Sequence, residues 1–176
     1  MRSIVIDASI ALGLLLAEPG FETIRTQIAD WRRNGVPLYV PAHFWLEVMN
    51  GLAISRRLPA EIVLEAIHRL DELDLRTEPL LRPHVLLALD AVERFGLTAY
   101  DATYLSLAEI LDADVYTLDH SLRTVATESG RAVVAGTDHR LADSRAPYGS
   151  SPRPSWPAYR ELSSYLARLR AEARAG

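Results

Sequence analysis

Four carboxylates could do chemistry in this chain: Asp7, Glu47, Asp101 and Asp119. Asp7 ends the β-branched run Ser3-Ile4-Val5-Ile6, and Asp119 ends Val115-Tyr116-Thr117-Leu118 in the same way. Asp101 opens a helical stretch, where the macrodipole favours negative charge. Glu47 falls within the first two turns of a helix that follows another strand. In open α/β sheets, chemistry sits beyond the carboxyl ends of the strands, so all four can face one rim. Carboxylates gathered there repel, and some stay protonated at neutral pH unless a cation joins them. Hard oxygen donors suit Mg²⁺, with Mn²⁺ as a substitute. A bound ion orients and activates water, and a pair about 4 Å apart stabilises both oxygens of an in-line displacement. The predicted chemistry is metal-dependent phosphodiester hydrolysis without a covalent intermediate. Taken singly, each acid has a plainer reading, as a helix cap or a solvated face. Their joint placement is what points to a site.

The elements that must position these acids follow from periodicity. Ile4-Val5-Ile6 reads as a strand covered on both faces. A helix is expected over 9–16 with Ser9 as its N-cap, then a break at Pro19-Gly20 and a helix over 21–33 with Phe21, Ile24, Ile28 and Trp31 on one face. Leu38-Tyr39-Val40 is a strand. Pro41 is expected to open a helix at about Ala42, with Trp45, Leu46, Met49, Leu52 and Ala53 as its apolar positions. Pro59 begins a helix to about Leu73 with Ile62, Val63, Ala66, Ile67 and Leu70 inward, and a short strand follows near Leu75. Helices are expected over 82–95, closed by Gly96, and from Asp101 to about Leu111. After Val115–Leu118 come a short helix and a last strand, Ala132-Val133-Val134. Strands alternating with helices imply an α/β fold with a parallel sheet covered by helices.

Composition narrows the class. The chain has 176 residues, 49% of them hydrophobic, enough for one domain with a full core. No cysteine is present, which excludes thiolate zinc sites and disulfides and fits a cytoplasmic protein. No apolar run approaches the ~18 residues that span a bilayer, so no membrane association is expected. Ile10 to Ala17 is too short for a signal peptide and follows an acid. All 19 basic residues are Arg, so no mechanism can use a lysine. Residues 1–138 hold 12 Arg against 20 acids, and residues 139–176 hold 7 Arg against 3. An acidic body of this kind can still meet nucleic acid through local Arg clusters and through bound metal. The five histidines, His43, His68, His84, His120 and His139, show no close pair at ligand spacing and read as structural or exposed.

Ile6-Asp7-Ala8-Ser9, Glu47-Val48-Met49-Asn50, Leu97-Thr98-Ala99-Tyr100-Asp101-Ala102 and Thr117-Leu118-Asp119 resemble, in order and spacing, the four blocks of PIN-domain ribonucleases. The likeness is to the VapC-type toxins of type II toxin–antitoxin pairs and covers roughly residues 1–137. It implies a PIN-like three-layer α/β/α fold with a central parallel sheet. It implies a Mg²⁺-dependent endoribonuclease acting on structured RNA, and a homodimer neutralised by a cognate antitoxin. By carry-over, Asp7 and Asp101 are direct metal ligands. Glu47 and Asp119 complete the acidic set through water or a second ion. Ser9 and Asn50 would steady ligands by hydrogen bonds, and Thr103 would do likewise or cap and pack. The chain departs from the family pattern beyond residue 137. Residues 138–157 read as a Pro/Ser-rich connecting segment and residues 158–176 as an amphipathic C-terminal helix.

Other folds with acids at strand ends fit less well. A phosphoacceptor receiver needs a lysine. A haloacid-dehalogenase-type phosphatase wants a second Asp two residues after the first, where Ser9 stands. No Gly-x4-Gly-Lys loop or Gly-x-Gly-x-x-Gly turn occurs. A non-catalytic PIN-like RNA- or protein-binding module is the alternative from another class. The presence of all four acids favours the enzyme. The metal chemistry also admits DNA, since water rather than a 2′-hydroxyl is the nucleophile.

Overall fold

β1 (Ile4–Ile6) is buried at every residue. Successive strand side chains point to opposite faces, so such a strand is covered on both sides. The computed structural model, which describes residues 2–16 and 20–133, shows how. β1 lies inside a four-stranded sheet with β2 (Leu38–Pro41), β3 (Leu75–Glu78) and β4 (Asp114–Tyr116), in the order β3-β2-β1-β4. Every pairing is parallel. The register sets Ile6 against Tyr116, so Asp7 and Thr117 leave the sheet side by side. β3 lies at the sheet edge with its side chains half-buried or exposed.

Seven α-helices flank the sheet among the described residues: α1 (Ala8–Leu15), α2 (Phe21–Arg33), α3 (Phe44–Asn50), α4 (Ala60–Asp71), α5 (Arg82–Phe95), α6 (Ala99–Ile110) and α7 (His120–Glu128). α6 packs on β1, β2 and β4, and its residues Asp101 to Ala108 are all buried. From α2, Trp31 sets its ring edge-on to Tyr116 of β4 at 4.9 Å. α5 closes on Gly96, whose φ of 68° is the left-handed geometry that glycine adopts without strain. The α/β class and the parallel sheet are as the alternating pattern predicts.

Several local expectations are corrected. Asp7, not Ser9, caps α1: its carboxylate accepts from the Ser9 N–H. Pro41 ends β2, and α3 begins only at Phe44. The face of α3 is also different. Phe44, Val48 and, in the π-helical turn Gly51–Ser55 that follows, Leu52 are buried. Leu46 is 58% exposed and Met49 40%. The buried residues follow the i, i+4, i+8 stripe Phe44-Val48-Leu52, while Leu46 and Met49 lie off it. In α4, Val63 and Leu70 are buried, but Ile62 is largely exposed. α6 is capped by Thr98, which puts Asp101 at its third residue. Within the described residues, the last strand is a single parallel bridge from Ala132 to Val115. Pro19, Val134, the connecting segment 138–157 and the helix expected over 158–176 lie outside the described residues.

Candidate active site

Asp7 follows β1 directly and is 5% exposed. Three hydrogen bonds converge on its Oδ2: from the Ser9 N–H (3.4 Å), the Ser9 hydroxyl (2.5 Å) and the Thr117 hydroxyl (2.7 Å). The same two hydroxyls also serve the turn beyond β4. Ser9 Oγ accepts from the Leu118 N–H at 3.0 Å, and Thr117 Oγ1 from the Asp119 N–H at 2.9 Å. Asp119 in turn caps α7, its Oδ1 accepting from the Leu122 N–H at 2.8 Å. The ends of β1 and β4 are thus laced together, and each delivers an aspartate.

α6 brings the third. Thr98 accepts from the Asp101 N–H, and its hydroxyl donates to Asp101 Oδ2 at 2.5 Å, a reciprocal cap that fixes the carboxylate. Glu47 comes from α3. Its Oε2 accepts from the Tyr104 hydroxyl at 2.5 Å and lies 3.4 Å from His43 Nε2. Thr103 turns elsewhere: its hydroxyl donates to the Tyr100 carbonyl at 2.6 Å and lies 3.2 Å from His43 Nε2. Asn50 ends α3 exposed, with no side-chain hydrogen bond recorded among the described residues.

The electrostatics tie the acids into one neighbourhood. Burial holds the Asp7 carboxyl above the usual carboxylate range. The Ser9 and Thr117 hydrogen bonds pull it down, and the charges of Asp101 and Asp119 push it up again. Burial raises the Tyr104 phenol far above its ordinary value, and the charges of Asp7 and Glu47 add to that. The phenol therefore keeps its proton and donates to Glu47. Burial lowers His43 to about 4, so it is neutral at pH 7 and meets Glu47 as an imidazole, not as an ion pair.

The donor set fits a hard divalent cation in kind, since it is all carboxylate oxygen around a buried, mutually repelling group. In placement it is looser. Among the described residues, no three His, Asp or Glu side chains stand close enough to hold one ion together. Mg²⁺ keeps several waters and commonly takes only one or two carboxylates, so donors spread around a rim remain compatible with it.

Tyr104, Thr117 and Thr98 were missed as site residues, and His43 was read as structural or exposed. It is buried and touches Glu47. Spacing carried a signal for two of them. Tyr104 is three residues beyond Asp101 and His43 four before Glu47, so each shares a helix face or turn with an acid.

A sequence comparison with curated proteins gives no match. The structure is similar to that of VapC20 of Mycobacterium tuberculosis, described as a toxin that cleaves the sarcin–ricin loop. The TM-score is 0.57 at 17% identity, over 70% of this chain and 95% of that one. The family model for the PIN domain matches residues 4–128, which include all four acids. By that match over most of its length, the chain belongs to the PIN-domain family.

Proposed function

We propose that this protein is a Mg²⁺-dependent endoribonuclease that hydrolyses RNA phosphodiesters with activated water. The observation that carries the reading is the gathering of Asp7, Asp101 and Asp119 at one rim, close enough for the latter two to raise the buried Asp7 carboxyl. Capping α1 accounts for the bond between Asp7 and Ser9, but not for two further acids near enough to act on a buried carboxyl. Nucleases of the PIN family use divalent metal ions. A divalent cation, when bound, supplies Lewis acidity toward phosphate and activates water.

The chain's own part is placement. Asp7 and Asp101 are proposed as direct ligands, with Glu47 and Asp119 acting through water or a second ion. Ser9 and Thr117 hold Asp7 in one rotamer, and Thr98 does the same for Asp101. Preset ligands lose little conformational entropy when the cation and the RNA phosphate arrive. The likeness in fold to VapC20, described as a toxin, goes with the reading as a toxin of a toxin–antitoxin pair. A cognate antitoxin and a second copy of the chain are proposed as its partners.

The deciding experiment is cleavage of total RNA by purified protein with Mg²⁺, with Mn²⁺ and with EDTA, beside a folded Asp7→Asn, Asp101→Asn double variant. Cutting that needs metal and is lost in the variant is expected. A well-folded, antitoxin-free protein that cuts no RNA under any of these conditions would overturn the reading and favour the non-catalytic binding module.

A further inference from the structure

Tyr104 is fully buried on α6, yet its hydroxyl reaches an acid on another element. It donates to Glu47 Oε2 at 2.5 Å, and the charges of both Asp7 and Glu47 act on it. One phenol oxygen thereby ties the face of α6 that carries Asp101 to the acid of α3. We propose that Tyr104 is a positioning residue that sets Glu47 beside the face of α6 that carries Asp101, a role that rests on the nuclease reading above.

Glu47 needs such a clamp. It is a flexible side chain on a seven-residue helix that turns into a π segment, and the far end of that helix, at Met49 and Asn50, is exposed. His43, one turn earlier, backs the same oxygen from 3.4 Å. The Thr103 hydroxyl donates to the Tyr100 carbonyl, and the His43 ring lies between that hydroxyl, 3.2 Å from Nε2, and Glu47. The His43 ring also stands edge-on to Tyr104 at 5.1 Å, which holds the phenol in place.

The choice of a phenol has a chemical logic. A buried tyrosine hydroxyl needs some acceptor, and a backbone carbonyl would serve. Here it takes a carboxylate of the acidic set, in a charge-assisted bond. An arginine could fix Glu47 equally firmly. Its charge, however, would neutralise the set and compete with the cation. A neutral donor fixes the carboxylate and leaves the negative field intact.

The test compares wild type, Tyr104→Phe, Glu47→Gln and the double variant, each shown to be folded by urea unfolding. Two quantities are read: Mn²⁺ affinity of the RNA-free protein by water-proton relaxation, and kcat and KM for RNA cleavage. Tyr104→Phe is expected to weaken Mn²⁺ binding roughly tenfold and to lower kcat at unchanged KM. It is expected to do nothing further once Glu47→Gln is present. A wild-type affinity for Tyr104→Phe, or the same loss with and without Glu47, overturns the role and leaves the nuclease reading standing. A wild type that neither binds Mn²⁺ nor cuts RNA overturns both. Should Tyr104→Phe not fold, Glu47→Asp shortens the acid out of reach of the hydroxyl and leaves the core intact. It should show the same loss, and wild-type Mn²⁺ affinity in that variant overturns the role.

Discussion

The Ser9 hydroxyl donates to Asp7 Oδ2 at 2.5 Å and accepts from the Leu118 N–H at 3.0 Å, so one small side chain joins the acid of β1 to the turn beyond β4. Ser9→Ala removes both bonds. Leu118 is 4% exposed, and its N–H would be left without its partner in a dry setting. The expected loss is about 1–3 kcal/mol in urea unfolding, with lower cleavage per folded molecule because Asp7 gains rotamer freedom. Unchanged stability in Ser9→Ala would show that water replaces the hydroxyl there.

Asp7→Asn should stabilise the fold while ending its activity. Burial, with the charges of Asp101 and Asp119, raises the Asp7 carboxyl in the folded state. A raised acid costs the folded state stability once pH rises above the unfolded value near 3.8, because ionising it there is harder than in the open chain. Asparagine removes that cost, still accepts from Ser9 and Thr117, and caps a helix as well as aspartate. Thermal melts should therefore place the variant above wild type at pH 7.5, with the gap closing toward pH 4. Added Mg²⁺ should raise the wild-type midpoint and not that of the variant. A variant that melts below wild type at pH 7.5 would contradict the assignment of Asp7 as a strained, buried charge.

Much of this arrangement could be read from the chain. Ile4-Val5-Ile6 and Val115 onward declared themselves as strands because burial on both faces demands unbroken apolar runs. The acids after them then had to share a rim. What escaped had physical causes. Ser9 and Asp7 are both good caps, and the choice between them depends on where the turn lies. α3 is a seven-residue helix rich in apolar side chains, so its composition did not single out the stripe Phe44-Val48 as core or Leu46 as outside. The clamp on Glu47 joins residues 57 apart in sequence, and no local pattern announces a contact of that range.

His43 makes the fold sensitive to mild acid. Its folded-state value is about 4 against an ordinary 6.5, because it is buried. For a base with a lowered value, the stability it confers is complete above pH 6.5 and is lost progressively as pH falls toward 4. At 1.36 kcal/mol per unit, the loss is about 3 kcal/mol. Asp7 acts with the opposite sign in part of the same range, so the difference between wild type and His43→Asn isolates the histidine. Between pH 7.5 and 4, wild type should lose about 3 kcal/mol more than the variant in urea unfolding. Parallel pH profiles would mean that the ring is not held neutral by burial.

Gly13 tests how tightly α1 and α2 are pressed together. A Cβ built there runs into the ring of Phe21, which is 2% exposed and seated in the core. Alanine in a helix gains about 1 kcal/mol over glycine from propensity alone. Overpacking a filled core costs about 1–3 kcal/mol, because the ring must leave its rotamer or the helices must part. The second effect wins, since Phe21 has no solvent side toward which to move. Gly13→Ala should therefore lower stability by up to about 2 kcal/mol, while cleavage per folded molecule holds, because the acids stand at the opposite end of α1. A more stable Gly13→Ala would show that the α1–α2 contact yields to a single methyl group.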